Sequence, residues 1–309
     1  MTRIIRFHEL GGPEVLRIEE VSFADPRPGE VQIRVKALGL NRAESMLRTG
    51  IYIEKAPLPS SLGFEAAGVV EHVGEGVVGF ARGDAVSVVP PVSMVQWPAY
   101  GELANFPAHL VVKHPAGLGW AEAAAVWMQY VTAYGALIDL AQLKAGDFIA
   151  ITAASSSVGL AAIQVARMVG ATPIAVTRSS AKKKALIEAG AVHVVASAEE
   201  DLEARLKEIA GAAGVRVVFD PVGGPAFGPL IAAMSRGGIL IEYGALSSEP
   251  TPFPIFDVLT KSITLRGYLI HEVTRDPAKL EAAKTFVLAG LKSGALKPII
   301  AKTFAFDDI

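Results

Sequence analysis

The sequence predicts an α/β chain in two parts, a β-rich, barrel-like segment followed by a doubly wound parallel sheet. Three observations carry this. From Met1 to about Pro115, short alternating runs such as Val31-Gln32-Ile33-Arg34-Val35-Lys36 and Val69-Val70-Glu71-His72-Val73 are separated by Gly/Pro/Asp turns, Pro26-Arg27-Pro28-Gly29-Glu30 and Ala81-Arg82-Gly83-Asp84 among them. Strands at this spacing build a compact barrel. After Trp120, helical and strand segments alternate through Leu265, with apolar strands at Val192-Val194-Val195, Val215-Val217-Val218-Phe219-Asp220 and Gly238-Ile239-Leu240-Ile241, as a parallel sheet covered on both faces requires. Finally, 309 residues suggest about two domains, since single cores stop growing at roughly 250–300 residues.

Composition narrows the class. With 51% hydrophobic residues, 19% charged and a net charge of −2, nothing argues for nucleic acid or an anionic membrane surface. The absence of cysteine excludes disulfides, thiolate catalysis and Cys-based metal sites. Met1-Thr2-Arg3-Ile4-Ile5-Arg6 lacks an apolar signal core, and the apolar stretch Trp120 to Leu143 contains Glu122, Gln129 and Asp139, so it reads as buried helix rather than a membrane span. A cytoplasmic protein is the expectation. The six histidines, His8, His72, His109, His114, His193 and His271, show no i,i+4 or His-x-His pairing and read as surface or structural residues.

The organising stretch of the second part is Gly146–Gly170. An apolar strand (Phe148-Ile149-Ala150-Ile151) leads into a small-residue turn (Ala153-Ala154-Ser155-Ser156-Ser157-Val158-Gly159) and then a helix from about Leu160 to Arg167. A second strand, Pro173-Ile174-Ala175-Val176-Thr177, follows at the distance of a βαβ unit. A helix N-terminus with small flanking residues receives a pyrophosphate on its unpaired N–H groups, so Ser155, Ser156, Ser157, Val158 and Gly159 are candidate dinucleotide-binding residues. An ordinary Ala/Ser-rich turn without ligand is the alternative.

The end of the second strand separates the two nicotinamide dinucleotides, because an acid there binds a ribose 2′-OH and a base accepts a 2′-phosphate. Here Thr177-Arg178-Ser179-Ser180-Ala181-Lys182-Lys183-Lys184 carries no acid before Glu188. Arg178 and Lys182 are expected to pair the phosphate and Ser179 to donate to it, which favours NADPH. Lys183 and Lys184 read as the solvated face of the next helix.

With Gly39-Leu40-Asn41, Gly50-Ile51-Tyr52, Leu62-Gly63-Phe64-Glu65-Ala66-Ala67-Gly68, Gly83-Asp84-Ala85-Val86, Thr132-Ala133-Tyr134, the Ser-rich turn, Asp220-Pro221-Val222-Gly223-Gly224 and Leu265-Arg266-Gly267, the chain resembles the medium-chain dehydrogenase/reductase superfamily. Within it, the chain is similar to the zinc-independent quinone oxidoreductase (zeta-crystallin-like) and enoyl reductase branch. The resemblance implies a GroES-like catalytic domain, residues 1–120 and 266–309, and a Rossmann NADP-binding domain, residues 121–265, with the site in the cleft between them. Relatives read Gly-Ala-Ser-Gly-Gly-Val-Gly at the turn, so Ala153, Ser156 and Ser157 replace glycines. Relatives also continue beyond Phe306-Asp307-Asp308-Ile309 into a helix and a final barrel strand.

Zinc-dependent members of the superfamily would place Cys-His at Asn41-Arg42, a histidine at Phe64 and a cysteine near Met128. Glu65 alone cannot supply three ligands, so no metal is expected. Reduction of a quinone or activated C=C needs a hydride held near the acceptor carbon and a group that polarises the acceptor oxygen. By resemblance, Asn41 and Tyr52 are the candidate catalytic residues, Tyr52 donating a hydrogen bond or proton. A loop aromatic covering the barrel is the other reading of Tyr52. The resemblance also places Thr132, Val222, the loop Tyr243-Gly244-Ala245-Leu246, and Leu269-Ile270 through backbone atoms, around the cofactor. Met94, Trp97 and Tyr100, in the segment from Pro91 to Glu102 that replaces a zinc lobe, either line an acceptor pocket with Tyr52 or pack together under a loop.

The expected activity is NADPH-dependent, zinc-free reduction of quinones or α,β-unsaturated carbonyls. Reduction of ketones or aldehydes, and a non-catalytic NADPH-binding sensor or structural role, are the alternatives. A small-molecule substrate and a homodimer, joined edge to edge through Ile239-Leu240-Ile241 and Ile263-Thr264-Leu265, complete the expectation.

Overall fold

A computed structural model describes all residues from Met1 to Ile309. The chain divides into two compact units, residues 1–128 with 298–309, and residues 129–297. In this division the segment 266–297, which the sequence groups with the first domain, lies with the second unit.

The first unit contains β1 (Thr2–Phe7), β2 (Leu16–Val21), β3 (Glu30–Gly39), α1 (Arg42–Arg48), β4 (Ser60–Ser61), β5 (Glu65–Val73), β6 (Ala85–Val88), β7 (Leu103–Pro107), β8 (Val111–Lys113) and α2 (Trp120–Ala123). Two antiparallel sheets form, with strand orders β2-β1-β4 and β7-β3-β5-β6-β8, and an Ile4–Gly101 bridge lies outside the named strands. Alternation in the strands fills the interior with Ile5, Phe7, Ile33, Phe64, Val70, Val86, Val88 and Phe106. The alternation of β3 breaks at Gln32, which is buried and donates to Ala24 O and Asn105 Oδ1. A register shift between Gln32 and Ile33 against β5 accounts for the break.

α3 (Trp127–Tyr134) opens the second unit's helical entry and runs on as a π-turn over Gly135–Leu140. After it come β9 (Phe148–Ile151), α4 (Ser157–Met168), β10 (Thr172–Thr177), α5 (Lys183–Glu188), β11 (His193–Ala196), α6 (Leu202–Ala210), β12 (Val215–Asp220), α7 (Phe227–Ala232), β13 (Met234–Glu242), α8 (Ile255–Lys261), β14 (Thr264–Gly267), α9 (His271–Thr274) and α10 (Pro277–Ser293). The six strands are parallel in the order β11-β10-β9-β12-β13-β14. Strand order therefore reverses between β9 and β12, and in such sheets ligands bind beyond the carboxyl ends of the strands at that switch. Val176, Val195, Leu206, Val218, Phe227, Leu230 and Leu240 pack one face. α10 belongs here because it buries Leu280, Ala283 and Val287, and its Gly290 lies so close to Leu296 and Met168 of α4 that a Cβ would stand 2.5 Å from one and 3.2 Å from the other. No helix is long and apolar enough to cross a membrane.

Candidate active site

In the first unit the candidate site is built where β3 ends and α1 begins. Asn41 is the N-cap residue of α1, and Glu44, three residues on, returns its carboxylate to the Asn41 backbone N–H, the spacing of a capping box. The fold then surrounds that carboxylate with further donors. Phe64 N–H donates to Glu44 Oε1 at 3.0 Å and the Tyr100 hydroxyl to Oε2 at 2.7 Å. Asn41 Nδ2 reaches both Glu44 Oε1, at 3.3 Å, and Glu65 Oε2, at 3.2 Å, while Met128 N–H donates to Glu65 Oε1 at 2.8 Å. Both carboxyls are nearly sealed from water, at 3% and 4% exposure. Burial pushes each up to about 7 against these donors, and the Glu44 charge adds to the effect on Glu65.

Tyr52 is half-buried and meets the fully buried Phe64 edge-on, centroids 6.4 Å apart at 71°. Burial first, then the charges of Glu54 and Glu44, push its phenol up to about 12. It therefore stays protonated, a hydrogen-bond donor throughout the neutral range. Ser93 hydroxyl donates to Glu54, whose other oxygen is buried without a partner. Of the expected pocket residues, Met94 is fully buried in the barrel core and Tyr100, 5% exposed, points its hydroxyl inward to Glu44. Trp97 packs half-buried against the same core, with its indole N–H on Glu30 at 3.2 Å. This geometry favours packing over a pocket for Met94 and Tyr100, because their surfaces are already covered.

In the second unit, helix α4 follows the turn after β9 and begins at Ser157, earlier than the Leu160 read from sequence, with Ser156 as N-cap accepting Gly159 N–H at 3.1 Å. Of the three side chains that replace glycines, only Ala153 sits in left-handed space, at φ +43°; Ser156 has an ordinary extended conformation. Gly159 cannot be replaced in the same way, because a Cβ there would stand 2.7 Å from Ala154 Cα and O. Lys182 reaches back to the turn, its Nζ 3.0 Å from Ser155 Oγ. Tyr243 stacks on Phe219 at 4.0 Å and 16°, with its hydroxyl buried beside Ser156 and making no hydrogen bond of good geometry. An orphaned donor at a helix N-terminus, next to two serines and a lysine, fits a phosphate.

Arg178, Ser179 and Lys182 are exposed beyond the half-buried Thr177 at the end of β10. The structure adds an acid that sequence spacing hides: Glu199 accepts the Ser180 N–H at 2.9 Å. Asp220, at the end of β12, accepts the Thr152 hydroxyl and the N–H groups of Val222 and Gly223 at 2.9 and 3.1 Å. Glu242 lies opposite it in register, both oxygens buried and unpartnered, and burial followed by the Asp220 charge pushes it up to about 8. Leu246 N–H bonds Pro221 O, so the loop from Tyr243 through Gly244 to Leu246 is fastened to the segment containing Val222.

Thr132 is buried within α3. Leu269 is exposed and Ile270 buried, and their carbonyls accept N–H groups of Glu272, Val273 and Thr274 as α9 starts. The Leu269 carbonyl thus accepts one N–H and the Ile270 carbonyl two. For metal the donor set does not fit: no group of three His, Asp or Glu residues is placed to hold an ion. Phe64 cannot ligate, and Glu44 and Glu65 are held by N–H and O–H donors.

Two family models match, "Alcohol dehydrogenase GroES-like domain" over residues 27–137 and "Zinc-binding dehydrogenase" over residues 157–287. Quinone oxidoreductase 1 of Escherichia coli K12 is 33% identical over 308 residues, covering 98% of this chain and 91% of the relative. Among solved structures, Escherichia coli quinone oxidoreductase complexed with NADPH aligns with a TM-score of 0.86 at 32% identity, over 97% of this chain and 90% of the other. A mycobacterial protein complexed with NADPH aligns with a TM-score of 0.89 at 27% identity, over 100% and 94%. With this identity across nearly its full length, the chain belongs to the quinone oxidoreductase family of the medium-chain dehydrogenase/reductase superfamily.

Proposed function

We propose that this chain is a cytoplasmic, dimeric, NADPH-dependent reductase of quinones and α,β-unsaturated carbonyls that works without a metal. The observation that carries the reading is the polar turn at the start of α4, where Lys182 meets Ser155 and the buried Tyr243 hydroxyl lies beside Ser156. The Escherichia coli relative, named for quinone reduction and solved with NADPH, supports the same reading. When bound, NADPH supplies a hydride from nicotinamide C4.

The chain's own residues do the rest. The α4 N-terminus and Ser156 receive the pyrophosphate, and Arg178 and Lys182 pair the 2′-phosphate. Tyr52 donates a hydrogen bond to the acceptor oxygen as negative charge develops on it. Because burial holds the phenol up to about 12, its contribution is the hydrogen bond, and water delivers the final proton. Steady-state oxidation of NADPH by a quinone and by an enone tests this. Tyr52→Phe lowers kcat about tenfold or more while leaving the NADPH Kd unchanged. Tight NADPH binding with no turnover of either acceptor would favour the non-catalytic reading instead.

The dimer has support in the four-residue edge strand β14 and in the exposed apolar side chains of Phe253, Ile255, Phe256 and Leu259 at α8. Ile239-Leu240-Ile241 lies inside the sheet between β12 and β14, which leaves β14 as the edge available to a second copy.

A further inference from the structure

Asn41 carries one acceptor and two N–H donors on its side chain, and which of these faces a ligand is decided by Glu44 and Glu65. Every other partner of these two carboxyls is a donor. Glu44 accepts the N–H groups of Asn41 and Phe64 and the hydroxyl of Tyr100, and Glu65 accepts the N–H of Met128. Backbone N–H groups cannot reverse, so with both carboxyls ionised Glu44 Oε1, which also accepts Phe64 N–H, and Glu65 Oε2 present acceptors to Asn41. An amide turned the other way would set Oδ1 against both. The Glu65 side chain lies close to the Gly39 backbone, where an added Cβ would stand 2.9 Å from Glu65 Oε2.

We propose that Glu44 and Glu65 are positioning residues that occupy both Nδ2 protons of Asn41, so that Asn41 offers the site an acceptor only and receives a ligand hydroxyl or amide N–H, never a quinone carbonyl oxygen. This rests on the reading of the first-unit site as a reductase active site. It leaves Tyr52 as the residue of this pair that polarises the acceptor oxygen.

Glu65→Gln tests it. The amide carbonyl introduced at position 65 keeps the Met128 N–H, which turns the new NH2 toward Asn41, donor against donor, and the Asn41 amide rotates to present N–H outward. The expected result is a fall in kcat/KM of about tenfold or more in a folded protein. Wild-type kcat/KM in Glu65→Gln would overturn the proposal. A second readout needs no turnover. In the 15N-labelled wild-type protein both Asn41 side-chain amide protons exchange slowly with solvent, and in Glu65→Gln at least one becomes fast. Fast exchange of both in the wild type would overturn the assignment whatever the enzyme reduces. Slow exchange without quinone turnover would defeat the reductase reading and leave the orientation standing.

Discussion

Lys182 is the residue at which cofactor choice is most exposed to test. It bonds Ser155 in the turn and lies on the segment that follows β10, so in the proposed binding mode one ammonium group serves both the turn and the 2′-phosphate. Lys182→Ala weakens NADPH binding about tenfold or more and NADH binding much less, read by fluorescence titration of each. Ala153 carries the backbone strain of the turn at φ +43°, so Ala153→Gly raises stability by up to about 1 kcal/mol in denaturant unfolding. The placement of Arg178 and Lys182 beyond β10 was legible because they follow a recognisable strand. Glu199 was not, being nineteen positions from its partner Ser180. Glu44 carried a readable signal in its capping-box spacing from Asn41, but nothing in sequence brings Asn41, Glu65 and Tyr100 together around that carboxylate.

The strands and helices of the second unit follow from apolar runs between turn residues, and the parallel sheet places each of the strands read from sequence. Their order is less accessible, since alternation does not say which strand is outermost. That is why Ile239-Leu240-Ile241 reads as an edge in sequence but lies between two strands in the fold. The loop holding Met94, Trp97 and Tyr100 shows the same limit in another form. Apolar and aromatic residues fill cores and line pockets alike, and only packing shows Met94 buried completely. At α8 the exposed Phe256, at 79%, and Leu259, at 66%, form an apolar patch on the helix that leads into the edge strand β14. Phe256→Glu combined with Leu259→Glu converts the proposed dimer to monomer in sedimentation velocity; wild-type protein sedimenting as a monomer would leave the patch without this role.

Across the whole molecule, three buried carboxyls lower stability as pH rises, and His114 and His271, held below their ordinary value by burial, oppose them below about 6.5. Glu44 and Glu65 rise to about 7 and Glu242 to about 8 from an ordinary value of 4.5. In the window between, the folded state holds protons that the unfolded state has released. Their contribution is therefore complete below about 4.5 and is lost as pH rises through 7 to 8. The melting temperature falls between about pH 6.5 and about pH 8, above the range in which the two histidines oppose the carboxyls. Glu242→Gln, which removes an unpartnered carboxyl, flattens that fall and is more stable than wild type above about pH 8. The two-unit organisation was visible in the composition shift, and the class of chemistry came from the family resemblance, whereas the buried charge was not visible, because burial is a property of the assembled fold. Reduction of quinones by NADPH at a site without metal is tested most directly by comparing the steady-state rate of quinone reduction with NADPH and with NADH, each with and without a metal chelator. The expected kcat/KM for NADPH is at least about tenfold above that for NADH, unchanged by chelation. No turnover, a preference for NADH, or loss of activity with the chelator would contradict it.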